Sequence, residues 1–512
     1  MKRRSYYDVV FIGMGFEPLL AAALLAKRGF RVLLLGQGSL APAYDAAGRR
    51  WPRAPHTFLG SQSPVARRVL AELALHQLFR RRATSIDPAF QVVMPGHRFE
   101  HALDPAALER EVAREFGLVQ RAVEDFDRAA LRHGQDLDRI ADKDLVWPPE
   151  TFLERREFVR ATAHQAFDKQ GAGLDPFAEL AEDHPFRHVV DAPVRFASRM
   201  DPGQLAPLAR VRLYDSWCRG AAKLEGGAAW LHEALLEKVV TYSGEVRPRE
   251  RVDRVLTRRG HATGVRLATT AEEIGAGFVV AGCEVGALLP LLPDRTSFGQ
   301  LFERIGEPTP RWCRYTLHLV VREEAVPAGM GRDAFFLLDP QRAPAAENLL
   351  RVEAHPANDA GERMLSIEAL LPRRGVEEVS GYVSSMRERI LAVVSELVPF
   401  LGDHLLAVDS PHDGREVQDI AGGRLVPPEE PWSRGPQSMP VVHGYPVRGP
   451  LGVCGLPVRT PIKRLLLCNE QIVPGLGDEG SFLAAWSAAR VVTRSDRKKE
   501  WMRRGLWTKV EI

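Results

Sequence analysis

An α/β fold built around a Rossmann-like dinucleotide-binding domain is predicted by three stretches of this sequence. An apolar strand runs into a Gly-x-Gly turn at residues 8–15, a glycine pair opens a helix–hairpin–strand series at 224–282, and a strand, a glycine turn and a helix follow one another at 464–492. Because these stretches are far apart, the domain is expected to be assembled from discontinuous segments, about 1–100, 215–300 and 455–495. Interleaved with it are a mainly helical insert at 101–214 and a mixed, β-rich portion at 301–454, together forming an α+β substrate domain. A basic tail occupies 496–512.

The first strand, residues 8–12, enters Gly13-Met14-Gly15-Phe16-Glu17-Pro18, and a helix is expected over 19–28. Glycines suit such a turn because backbone N–H groups must approach a pyrophosphate closely at the positive end of a helix. Gly13 and Gly15 hold the first two glycine places, and Pro18 stands in the third. A second strand is expected at 31–35, followed by Gly36 where an acidic residue would grip an adenosine ribose. Ser63-Pro64 then starts a helix with Val65, Val69, Leu70, Leu73 and Leu78 at helical spacing and Arg80-Arg81-Arg82 in its last turn. That pattern suits first a core-facing helix whose cations complement its dipole, with a basic amphipathic helix lying on lipid as the lesser alternative.

Residues 105–215 read as mainly helical, punctuated at Trp147-Pro148-Pro149-Glu150 and Asp183-His184-Pro185. The second decisive stretch follows. Gly226-Gly227 lead into a helix through Val239, a turn at Ser243-Gly244 precedes a strand about Val246, and residues 252–256 and 263–267 form a hairpin-like pair before the strand at 277–282. Alternation through 315–321 and 334–338 predicts further strands, and apolar spacing predicts a long helix over 376–398. Residues 421–461 are rich in Pro and Gly and read as a loop or extended segment.

The third stretch is a buried strand at 464–468, then Asn469-Glu470-Gln471-Ile472-Val473-Pro474-Gly475-Leu476-Gly477-Asp478-Glu479-Gly480-Ser481, then a helix over 482–492. Glycines there are expected to leave bare backbone amides at a helix start, which presents positive potential to an electron-rich ligand edge.

In order and spacing these elements resemble the large flavoprotein family that includes phytoene desaturases and flavin amine oxidases. The resemblance implies an FAD-binding, Rossmann-like domain of the glutathione reductase type, with FAD held non-covalently because no cysteine or histidine falls within the glycine turns. It implies that Gly13 and Gly15 meet the pyrophosphate, that Val252 lies against the adenine through its backbone, and that Pro474, Gly475, Gly477, Gly480 and Ser481 bring a helix start to the flavin pyrimidine ring. The family's Gly-Asp is Asn469-Glu470 here, so Glu470 is the candidate ribityl or pyrophosphate contact. Ala47-Gly48-Arg49 stands for the family's Gly-Gly-Arg, whose arginine meets the pyrophosphate; a solvated Arg49 is the alternative.

The implied chemistry is hydride transfer from an apolar, isoprenoid or lipid-like substrate to flavin, for which the protein supplies positioning and electrostatics. Glu470, Asp478 and Glu479 are the carboxylates nearest the flavin by sequence logic and hence the candidates for proton transfer, beside roles as cofactor contact, helix cap or solvated acid. His318 and His443 fall in the substrate half, where a lone histidine is usually structural. Two other readings share the pattern. An amine oxidase would take a small amine. Rab GDP-dissociation inhibitors and escort proteins have a glycine turn that also lacks its third glycine, and a cofactor-free protein of their kind would bind a lipid or a partner.

Composition narrows the field further. A chain of 512 residues with 45% hydrophobic and 26% charged residues is ordinary for a globular protein of more than one domain, and its net charge of +3 gives no nucleic-acid footprint. The five cysteines, Cys218, Cys283, Cys313, Cys454 and Cys468, lack C-x-x-C spacing, so neither a metal site nor a disulfide framework is expected and a reducing cytoplasm fits. The charged opening Met1-Lys2-Arg3-Arg4 fails as a secretory signal because Glu17 and Pro18 interrupt the apolar stretch. Peripheral contact with the inner membrane surface stays open, as does the oligomeric state.

Overall fold

A computed structural model describes residues 6–163, 177–427, 433–446 and 450–496. Five parallel strands from three distant parts of the chain lie side by side. Tyr6–Ile12 pairs with Val32–Leu35 on one edge and with Glu273–Ala281 on the other; Glu245–Arg247 extends the sheet beyond Val32–Leu35, and Leu465–Leu467 pairs with Glu273–Ala281. The antiparallel strands Val252–Arg258 and His261–Leu267 continue from Glu273–Ala281 as a meander. Such a sheet needs apolar residues on both faces, and Val9, Val10, Phe11, Ile12, Leu33, Leu34 and Leu35 are all fully buried.

One face is covered by the helix Phe16–Lys27, whose residues Pro18 to Ala26 are all buried, and by the closing helix Gly477–Arg494, packed against it. The first of these starts earlier than its apolar pattern indicates. Phe16, Glu17 and Pro18 form its first turn, where a proline costs little because the amide it lacks would have had no partner inside the helix.

The expected helix after Ser63 is two helices, Pro64–Glu72 and His76–Arg82, separated at Ala74, whose backbone is left-handed. Val65, Ala66, Val69, Leu70 and Leu73 are buried, and the Arg68 guanidinium lies 4.4 Å from the Trp486 ring of the closing helix. Its apolar face therefore belongs to the core and is not free to lie on lipid. The helix expected over 376–398 likewise divides, into Arg373–Glu378 and Tyr382–Leu397, with Gly381 left-handed between them.

The insert is helical as expected, with Pro105–Phe116, Gln120–Ala141, Phe152–Thr162, Pro185–Ala197 and Pro207–Gly220 as its main helices. The other large element is a mostly antiparallel ten-stranded sheet centred on the pair Thr309–Arg322 and Glu362–Pro372. Gln91–Met94 and His97–Glu100 join this second sheet, although they fall within the first segment expected for the nucleotide domain. Leu317, Leu319, Val321, Ile367 and Ala369 pack with Met386, Ile390 and Val394 of the helix Tyr382–Leu397, so the apolar strands of 315–338 fill a second core on one face, while Phe335 and Leu337 enter the main core. Among the described residues no helix is long and apolar enough to cross a membrane. The basic tail lies outside the described residues from 497 onward.

Candidate functional site

The carboxyl ends of the parallel strands form the edge where open α/β sheets take ligands. Gly13, with φ +102°, makes the first turn there, and a Cβ on it would lie 3.3 Å from both the Cys283 nitrogen and the Gly282 carbonyl carbon. Gly15 then caps the helix Phe16–Lys27 with no side chain bonded to its open amides. The third glycine of the pattern normally lets helix and strand approach. Pro18 stands there instead, and Gly282 on the facing strand end leaves the room, since a Cβ on Gly282 would collide with the proline ring. The glycine has in effect moved to the other side of the contact.

At the end of Val32–Leu35, a Cβ on Gly36 would collide with the Pro248 carbonyl, so no acidic side chain fits at this position. The next residue takes over the edge. The Gln37 side-chain oxygen accepts the Val252 N–H at 2.6 Å, and its amide nitrogen donates to the Val252 carbonyl at 3.1 Å. Both backbone groups by which Val252 was expected to meet an adenine are thus engaged by a side chain of the protein itself. The Met14 N–H within the glycine turn donates to the Ser39 hydroxyl at 2.8 Å.

Arg49 is not at this edge, which corrects the expected pyrophosphate contact. Ala47 and Gly48, both left-handed, are the two-residue turn of the hairpin Ala43–Ala46 and Arg49–Pro52, and Arg49 donates twice to Glu362 of the second sheet, at 2.6 and 3.1 Å. Tyr44 donates to Asp409 at 2.6 Å, and buried Trp51 lies 5.9 Å from the His318 ring. The hairpin packs on the second sheet, its Ala46 and Trp51 sharing a small core with Val320, Ala407 and Val417. His318 is held neutral by burial, which lowers its pKa to about 3, and its Nδ1 lies 2.9 Å from the Ser366 hydroxyl.

The closing segment returns to the edge. Pro474 to Leu476 form a short turn before the helix Gly477–Arg494, whose start no side chain caps. The glycines are nevertheless fixed by protein neighbours. A Cβ on Gly475 would lie 2.9 Å from the Val453 Cα, one on Gly477 2.5 Å from the Ala197 carbonyl oxygen, and one on Gly480 would collide with the Val473 carbonyl. The Ser481 hydroxyl donates to the Glu17 carboxylate at 2.6 Å, bringing the starts of the two helices together.

The three candidate carboxylates divide. Glu479 is buried, accepting from the Ser63 hydroxyl and from two nitrogens of Arg212 of the helical insert at 2.7 to 2.9 Å, which ties it into the packing of the insert. Asp478 accepts the Leu59 N–H at 3.1 Å and pairs with Arg199 at 3.2 Å. Burial raises the Glu470 carboxyl above its usual range, against the pull of Arg199, and neighbouring Glu17 raises it further.

Sequence reasoning missed three partners. Glu284, just beyond the end of Glu273–Ala281, is pushed up to about 7 by burial and by the charge of Glu470; His443 lies 3.7 Å from it. Tyr445 faces both carboxyls, and burial drives its phenol well above the ordinary value. Arg199, at the end of Pro185–Ala197, collects the charges of Asp478, Glu470 and Glu17. Only the place of Glu284, two residues after a strand-ending glycine, was a signal in the sequence.

The sequence matches no family model and no curated protein. Solved structures share its fold almost end to end. They include an oxidoreductase from Methanosarcina mazei (14% identity, 94% of this chain and 99% of that one, TM-score 0.58) and a triple mutant of putrescine oxidase (14%, 96% and 99%, TM-score 0.59). Cyclohexylamine oxidase from Brevibacterium oxydans is similar to the same degree (16%, 96% and 99%, TM-score 0.54). The predicted Rossmann-like α/β fold with its interleaved α+β domain is therefore the fold observed.

Proposed function

We propose that this protein is an FAD-dependent oxidoreductase that removes hydride from an organic substrate and holds its flavin non-covalently. One observation carries the reading: the Gly13–Gly15 turn, Val252 and the uncapped start of the closing helix, from three distant stretches, converge on one edge of a single parallel sheet. Gly13, Gly15 and the open start of Phe16–Lys27 would hold the pyrophosphate, and the amides of Gly477 to Ser481 the electron-rich edge of the ring. Val252 is open to an adenine only once the Gln37 amide yields. Cys283 borders the turn, but burial pushes its thiol to about 12, which suits a non-covalent site. Bound flavin supplies the hydride acceptor.

The substrate class the crevice favours is an amine. Glu284, raised to about 7, can take or give a proton near neutral pH, and Glu470, raised by burial, stands beside it, so the two can meet an ammonium group. The motive for an apolar, isoprenoid-like substrate is weaker, because the strands of 315–338 are filled core. The neighbours named for putrescine and cyclohexylamine support the amine reading by fold alone.

The bond between Gln37 and Val252 favours a second reading, a cofactor-free lipid- or partner-binding protein on the same fold. The visible absorption spectrum of the purified protein, before and after addition of FAD, decides between them. A flavin spectrum whose colour passes wholly to the supernatant on acid precipitation supports the enzyme. A colourless protein that FAD cannot reconstitute supports the binding protein.

A further inference from the structure

The helix Phe152–Thr162 carries an outward face that no other described residue covers. Thr151 and Glu154 form a capping box at its start, and its inner side is fixed by Phe158, whose ring meets Trp147 edge-on at 5.2 Å, and by Glu154, buried and paired with Arg459 at 2.8 Å. Phe152, Leu153 and Val159 point the other way and are 78%, 64% and 51% exposed. Between and beside them stand Arg155, Arg156 and Arg160, all exposed and, among the described residues, none paired with a carboxylate. At 100° per residue, Phe152, Arg156 and Val159 fall on one stripe, with Arg155 on one flank and Leu153 and Arg160 on the other.

The only other acid on the helix is taken: Glu157 binds Arg494 at 2.8 Å, in the last turn of the closing helix. The chain therefore leaves the closing helix beside this face, and the sequence that follows carries Arg497, Lys498, Lys499, Arg503, Arg504 and Lys509 against Glu500 and Glu511, with Trp501, Leu506 and Trp507 among them. Exposed arginines without an unpaired acid among them call for a negative partner, and the sequence after 496 adds charge of the same sign. Aromatic and aliphatic side chains among arginines suit the headgroup boundary of a bilayer.

We propose that the outer face of Phe152–Thr162 docks the protein on an anionic lipid bilayer. Phe152, Leu153 and Val159 enter the headgroup region, and the three arginines meet lipid phosphates. The proposal is independent of the flavin reading.

The test is co-sedimentation of the full chain with vesicles of phosphatidylcholine alone and of phosphatidylcholine with one third phosphatidylglycerol. Binding is expected only to the anionic vesicles and should weaken with salt. The variant R155E/R156E/R160E should bind them about 100-fold more weakly, at roughly 5-fold for each lost cation or more. F152S/L153S should also lose binding with an unchanged melting temperature, since all five side chains are exposed. Equal sedimentation with both vesicle types overturns the proposal. So does undiminished binding by both variants, which would leave the residues after 496 as the sole anchor, or a dimer in size-exclusion chromatography that F152S/L153S dissolves, which would make the face a contact between copies.

Discussion

If FAD takes the backbone groups of Val252, it must first displace the Gln37 amide, and Gln37→Ala makes that competition measurable. The substitution removes two hydrogen bonds, at 2.6 and 3.1 Å, and little else. A hydrogen bond contributes about 0.5–1.5 kcal/mol net, so the pair opposes the adenylate by about 1–3 kcal/mol. Gln37→Ala should thus tighten FAD binding by roughly 5- to 150-fold, while the FAD-free protein loses a similar free energy because the buried Val252 groups are left without partners. The assay is calorimetric titration of flavin-free protein with FAD, and with FMN, which lacks the adenylate and whose affinity should not change. Unchanged or weaker FAD binding in the variant, or an equal gain for FMN, would refute the assignment of this edge to adenine.

Gly480→Ala should destabilise the protein by about 1–3 kcal/mol or more, since its Cβ would meet the Val473 carbonyl, and urea unfolding that matches the parent would show that this contact relaxes freely. Gly477→Leu meets the Ala197 carbonyl at 2.5 Å in a left-handed backbone, so it too should lower the urea midpoint, with any loss of flavin accompanying loss of fold. Arg49→Ala should cost about 0.5–1 kcal/mol in denaturant unfolding and leave the FAD dissociation constant unchanged, because its partner is Glu362; a large loss of FAD affinity would return Arg49 to the phosphate. Glu284, raised in the folded state to about 7, binds more protons folded than unfolded between about pH 4.5 and 7, so stability falls as pH rises through that window and is flat above it. Glu284→Gln should flatten that part of the stability–pH profile, and an unchanged slope would place the titration on another group.

The sequence by itself determined the sheet. Strand-forming runs before Gly13, around Val246, before Gly282 and at 465–467 are local patterns, and parallel strands buried on both faces have to be apolar throughout, so the fold class follows from residues a few positions apart. It also showed where glycine was needed, because a backbone without a side chain is a local fact. What stands beside that backbone is not local. Gly477 and Gly480 were legible as glycines, but Ala197 and Val473 as their neighbours were not, and Gly282 as the compensation for Pro18 came from some 260 residues downstream. The same holds for charge: Arg49 was a candidate phosphate ligand by resemblance, beside a solvated arginine, and is a partner of Glu362 by contact, and Gln37 reaches Val252 across 215 residues. Glu284 looked like any acid after a strand until burial and the charge of Glu470 raised its pKa. Tertiary structure decided these because hydrogen bonds and buried charges depend on which atoms meet in space, whereas periodicity records only which face of an element is turned from water.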